Sequence, residues 1–257
     1  MRRRLIIRPG AIGDFILTLP AMEFLRADQV EVWAASPNLP LARFAHRTRS
    51  IASTGLDMLE FGRVIAELSN FDSIVSWYGT NRPEFRAAVQ SLPFEFHTAI
   101  PPDDCPTHAV DYYAGQVGCP IPAIPRIDCP RTDAGFAVIH PFAGSPKKCW
   151  PLERFQEIAR RLPMPVRWCA GPEEQLPEAV RFDNLYEVAC WLATARLYIG
   201  NDSGITHLAA AVGTPVIALF GPTNPRIWAP RGPQVHVIAK DSLGSITVDE
   251  VAACLGV

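Results

Sequence analysis

Lysine is nearly absent from this chain. Only three of its 24 basic residues are lysines (Lys147, Lys148 and Lys240), and two of those are adjacent. Charge as a whole is sparse, at 19% of 257 residues against about 25% in an ordinary domain. The formal net charge is −2. Binding nucleic acid through a large basic surface needs the opposite balance, so no nucleic-acid partner is expected. The seven cysteines, Cys105, Cys119, Cys129, Cys149, Cys169, Cys190 and Cys254, include no C-x-x-C pair. A core of this size needs no covalent staples, so free thiols in a reducing compartment are expected. G-x-G-x-x-G, H-E-x-x-H, D-x-D and clustered Cys/His sets are all missing, so neither a dinucleotide fingerprint nor a metal site is expected. Long apolar runs are missing too. The longest uncharged stretch, 203–225, is interrupted by Gly213, Pro215, Gly221 and Pro222, and reads as helix, turn and strand rather than a membrane span. Arg8, Pro9 and Asp14 break the segment after the basic start, so no signal peptide is expected there. A cytoplasmic protein is expected. The basic start leaves peripheral attachment to the inner face of the plasma membrane open.

Apolar residues make up 48% of the chain, enough for a sizeable core. Proline is in excess, 25 residues or about twice the average frequency, which implies long, stiffened connections. Short apolar runs alternate with helical patterns, the signature of α/β units on parallel sheets. Strands are expected at 5–7, 30–33 and 73–77, with a helix over 14–26. From 91 to 131 the pattern dissolves among eight prolines, and 120–125 is the best linker. A second series follows. It has strands at 136–139, 166–169, 197–199 and 216–220, and helices at 152–162, 188–195, 206–212 and 247–255. The two halves echo each other weakly, Ile6–Ala11 against Val138–Ala143, each a strand running into a proline-containing loop. The expectation is an N-terminal Rossmann-like domain at 1–125 and a C-terminal one at 126–257, with the last helix a candidate to pack back on the first.

Three strand-to-helix loops carry candidate chemistry. In the first, Gly10 and Gly13 let backbone approach a ligand, and the helix start favours an anion. Asp14 reads either as an N-cap carboxylate or as a general base for an acceptor hydroxyl. A helix N-terminus stabilises the carboxylate and weakens it as a base, so base catalysis there would have to accompany departure of a good leaving group. In the second loop Gly144 and Ser145 can donate to phosphate oxygens. Lys147 or Lys148 can supply charge to a leaving diphosphate. In the third, Ser203 to Ile205 open a helix and Asp202 is suited to sugar hydroxyls rather than phosphate. His207 reads as structural or as a ligand contact. Glu174, after another strand, reads as a ribose contact or as a charged helix start. The segment after that strand and the loop 220–225 would line the same edge. Ser203 beside a histidine and an aspartate suggests a hydrolase, but G-x-S-x-G is absent.

Taken together, four blocks resemble glycosyltransferase family 9, the bacterial heptosyltransferases of lipopolysaccharide assembly. They are Arg8–Pro20, His140-Pro with Lys148–Pro151, Gly200–Ala209 and Leu219–Thr223, in the family's order. Residues 28–131 carry little of the likeness. The chain is short for the family, and the shortfall is expected in the acceptor-binding half. The resemblance implies GT-B architecture, two Rossmann-like doubly wound α/β domains facing a central cleft. It implies inverting, metal-independent transfer of a sugar, heptose by family default, from an ADP-type nucleotide sugar to a cell-envelope glycan or glycolipid. The nucleotide sugar is then a substrate and no cofactor is expected. By that likeness Asp14 is the base and Lys148 stabilises the donor diphosphate. Gly13, Gly144, Ser145, Glu174, Asp202, Ser203, Gly204 and His207 bind the donor. A relative that binds a nucleotide or sugar without turnover is the rival reading.

Overall fold

Among the described residues, ten strands form two five-stranded sheets in which every pairing is parallel. The computed structural model describes residues 1–255. The first sheet contains β1 (Arg3–Arg8), β2 (Gln29–Ala34), β3 (Arg47–Ser50), β4 (Ser73–Ser76) and β5 (Phe94–Phe96), in the order β3-β2-β1-β4-β5. Its helices are α1 (Ile12–Phe24), α2 (Pro83–Ala88) and α3 (Ala109–Gln116). The second sheet contains β6 (Ala137–His140), β7 (Val166–Trp168), β8 (Leu197–Asn201), β9 (Val216–Phe220) and β10 (Val235–Ala239), in the order β10-β9-β8-β6-β7. Its helices are α4 (Leu152–Arg161), α5 (Leu185–Leu192), α6 (Gly204–Ala211), α7 (Pro225–Trp228) and α8 (Val248–Leu255). Each unit is a doubly wound, Rossmann-like α/β domain.

The chain divides between Ala123 and Ile124, and the short segment Pro106–Ala109 groups with the second unit. The strands read from sequence are all present. Central strands covered on both faces are continuous apolar runs, as in Leu5, Ile6 and Ile7, each fully buried. Three strands, β3, β5 and β10, were not legible. β3 is Arg-Thr-Arg-Ser, and β5 and α3 lie within the proline-rich region where the pattern dissolves. On α8, Val251 and Ala252 join the second core with Trp150, Phe155, Ile158 and Ile246. Arg161 on α4 reaches Asp249 on α8.

The first core gathers Leu5, Ile7, Trp33, Leu56, Leu68 and Phe85. In the second unit, one polar side chain ties the strand-end loops together. Asn201, fully buried at the end of β8, donates from Nδ2 to the Pro141 carbonyl at 2.7 Å. Its Oδ1 accepts from the Trp150 backbone N–H at 3.0 Å. Trp150 in turn donates its indole N–H to the Ile246 carbonyl at 3.0 Å. Removing the Asn201 amide leaves a buried donor and a buried acceptor without partners. Asn201→Ala is therefore expected to destabilise the protein by about 2–4 kcal/mol, read as a lower urea midpoint at unchanged slope. A midpoint within error of the parent would refute this bridging role.

Candidate functional site

In open parallel sheets, ligands bind beyond the strand carboxyl ends where the winding order reverses. In the second unit that reversal lies between β6 and β8, which pair directly. The loop after β6 carries Gly144, Ser145 and a single 3-10 turn, Pro146–Lys148. The loop after β8 carries Asp202 and Ser203 and opens α6.

The structure separates the adjacent lysines. Lys147 is exposed, whereas Lys148 Nζ donates to Asp202 Oδ2 at 2.7 Å. Asp202 is buried and Lys148 about one-third exposed. The sequence expectation gave Asp202 to sugar hydroxyls; here one of its oxygens already holds the lysine. The pair pins a positive charge at the switch point. Ser203 is the N-cap of α6, its hydroxyl accepting from the Thr206 N–H at 3.4 Å. The N–H groups of Gly204 and Ile205 occupy the first turn, where a helix has no carbonyl of its own to offer them. A lysine ammonium and a helix start on neighbouring loops of one sheet edge suit a diphosphate. Gly144 is exposed and Ser145 half-buried on the same loop as Lys148.

His207, expected on the diphosphate side, is buried in the first turns of α6. Burial pushes its pKa down to about 4; Asp202 raises it against that trend, and His108 and Lys148 lower it further. It is a neutral imidazole at neutral pH, not a cationic anion ligand. Glu174 is half-buried, and its Oε2 accepts from the Gly171 N–H at 2.6 Å. His140 Nε2 lies 3.2 Å from the same oxygen. Burial acts to raise the Glu174 pKa, but the bonds from His140 and Gly171 outweigh it and hold the carboxyl below its ordinary value. Site reasoning from sequence missed His140 and Asn201. His140 nonetheless stands in the quoted His-Pro block at a strand end, which is the signal that could have found it.

The first unit holds its own constellation where the winding reverses between β1 and β4. Asp14 is not the N-cap of α1. Ala11 is, and Asp14 sits at the third helical position, its Oδ2 accepting from the Ala11 N–H at 3.1 Å. Gly10 has φ +111, and a Cβ there would stand 3.0 Å from Asp14 Oδ2, so the loop needs glycine on both counts. Gly13, expected to bind the donor, lies in the first turn of α1 beside Asp14. Asn38 is buried and donates from Nδ2 to the Gly10 carbonyl at 3.1 Å.

Beneath the loop lies Arg8, 1% exposed. Its Nε donates to Thr18 Oγ1 at 2.7 Å, and its two terminal nitrogens donate to the carbonyls of Pro9 at 2.8 Å and Asp14 at 3.2 Å. The guanidinium sits over the Tyr113 ring, 4.9 Å from its centre. Burial lowers the Arg8 pKa, while Tyr113 and Asp14 oppose the shift; a guanidinium stays charged in a protein. Burial likewise pushes the Tyr113 hydroxyl up to about 12. Among the described residues no group of three or more His, Cys, Asp or Glu is disposed to hold a metal ion, and no helix is long and apolar enough to cross a membrane.

Comparison with known proteins agrees with this architecture. Lipopolysaccharide heptosyltransferase 3 of Escherichia coli is 31% identical over 124 residues, 41% of this chain and 36% of that protein. The sequence matches to curated relatives thus span about a third of those proteins or less. A family 9 glycosyl transferase from Veillonella parvula superposes over 99% of this chain and 97% of its own, with TM-score 0.78 at 19% identity. An E. coli heptosyltransferase solved with ADP covers 99% of both chains, with TM-score 0.70 at 20% identity. At these identities the superpositions establish the fold. The profile of glycosyltransferase family 9 (heptosyltransferase) matches residues 114–253, more than half of the sequence. The chain belongs to glycosyltransferase family 9.

Proposed function

We propose that this protein is an inverting glycosyltransferase that moves a sugar, heptose in the first instance, from an ADP-linked donor to a cell-envelope glycan or glycolipid. The observation that carries the reading is the Lys148–Asp202 pair beside the α6 N-terminus, at the point where the second sheet reverses its winding. The heptosyltransferases among its relatives, one of them solved with ADP, support the donor class.

In this mechanism the acceptor hydroxyl attacks the anomeric carbon. The bond from that carbon to the phosphate oxygen breaks, the nucleoside diphosphate leaves, and the hydroxyl proton passes to Asp14. One displacement at one carbon inverts its configuration. A carboxylate is in general a weak base for a hydroxyl proton, and Asp14 Oδ2 already accepts from the Ala11 N–H. It therefore acts together with departure of the diphosphate rather than ahead of it. Lys148 and the first-turn amides of α6 neutralise charge growing on the leaving group. Cationic side chain and helix start do here what a divalent ion does in other transferases, so the reaction requires no metal.

Calorimetric titration with ADP, UDP and GDP, without added metal, is the first test. Selective ADP binding is expected, weakened about ten- to a hundredfold in Lys148→Ala. Asp14→Asn should bind ADP like the parent and lose transfer by about 10²–10⁴-fold. Full transfer by that variant would refute the base assignment. ADP binding by the parent with no transfer to any envelope acceptor would identify a non-catalytic relative. Transfer abolished by a chelator would refute metal independence.

His207 provides a separate check on pH. Its folded pKa of about 4 lies below the unfolded value of about 6.5. Below 6.5 the unfolded chain takes up a proton that the folded protein refuses, so stability falls as pH drops from about 6.5 towards 4. Tm should decline across that window, and the decline should be shallower in His207→Gln. An equally steep decline in that variant would place the proton uptake elsewhere.

A further inference from the structure

His140 ends β6, is 3% exposed, and stands outside the set of residues that the family likeness assigns. Its ring reaches two of them. Nε2 lies 3.2 Å from Glu174 Oε2, and Nδ1 lies 3.5 Å from the hydroxyl of Ser203, the N-cap of α6. Glu174 Oε2 is thus held from two sides, by the imidazole and by the Gly171 N–H. The other carboxylate oxygen, Oε1, makes no hydrogen bond among the described residues. A carboxylate accepts only, so the proton of this contact resides on Nε2 of His140. A carboxylate with one oxygen clamped and one presented is suited to accept from a hydroxyl pair such as a ribose diol, and less suited to a phosphate.

We propose that His140 is a positioning residue for the nucleotide: it orients Glu174 towards the ribose hydroxyls and ties that carboxylate to the helix start that receives the diphosphate. The proposal rests on the reading of the second unit as an ADP-binding unit. It adds a residue whose part is to aim another. Without the imidazole, Glu174 keeps only the Gly171 N–H, which lies three residues away in its own turn, and its carboxylate is free to change rotamer. The loss should fall on ribose recognition and leave diphosphate recognition by Lys148 in place. A merely structural histidine would weaken all nucleotides alike.

The experiment compares ADP with 2′,3′-dideoxy-ADP by calorimetry. The parent is expected to prefer ADP by about ten- to a hundredfold, the range for hydrogen bonds to a charged group. Glu174→Gln and His140→Ala should each reduce that preference to within about threefold of unity, with dideoxy-ADP affinity little changed. His140→Gln, which can still donate to Glu174, should recover part of the preference. An undiminished preference in folded His140→Ala overturns the proposal, as does a parent that binds both nucleotides equally. Nitrogen-15 shifts of the His140 ring in the unaltered protein test the same point without a variant. A proton on Nε2 supports the contact, and a ring protonated on Nδ1 alone overturns it. A parent that binds no ADP refutes the donor reading itself, and in that case the ring measurement still decides whether His140 holds Glu174.

Discussion

Parallel pairing is the constraint on which the rest of this protein depends. Consecutive parallel strands cannot be joined by a hairpin, so each connection must cross over and return the chain to the same edge. Every loop leaving a strand therefore emerges at the carboxyl edge of its sheet. Residues far apart in the chain, such as Lys148 and Asp202, meet there at 2.7 Å because β6 and β8 are neighbours. The reversal of winding leaves the crossovers on opposite faces at that point and keeps the edge open to a ligand. β1 and β6, the two strands that echo each other in sequence, each border such a reversal.

Placing charge at that edge raises a second demand, because the strand ends are buried. The protein meets it in two ways. In the second unit, a buried carboxylate is matched by a lysine about one-third exposed, and a second carboxylate, Glu174, is held by an imidazole and a backbone N–H. In the first unit the buried Arg8 makes no carboxylate hydrogen bond among the described residues. Carbonyls, a threonine hydroxyl and the face of an aromatic ring take up its donors and its charge. Both solutions rigidify the loops that carry the candidate chemistry. Asn201 does the same with a neutral amide, joining the segment after β6 to Trp150.

Much of this was legible in the sequence. Central strands read clearly because burial on both faces makes them mostly apolar runs, and the helices between them carry one apolar face. Strand ends followed by Gly, Ser, Asp or Lys marked the site loops. Of the four edge strands only β7 was legible; β3, for one, has one neighbour and keeps two arginines. Nor could spacing separate Lys147 from Lys148, or assign Asp14 to the third helical position rather than the cap. Those outcomes turn on which partner the fold brings to each side chain, the Asp202 carboxylate to Lys148 and the Ala11 N–H to Asp14, which local pattern does not encode.

By itself, the sequence determined two parallel α/β units and the loops on which charged and small residues gather. Periodicity and turn chemistry are local, and they survive without knowledge of strand order. Only the tertiary structure decided that Lys148 pairs with Asp202, that His140 reaches both Glu174 and Ser203, that His207 is buried and neutral, and that α8 completes the second core. The physical reason is the strand order. Placing β6 between β7 and β8 brings together segments 34 to 63 residues apart in the chain, and no pattern within either segment records that neighbour.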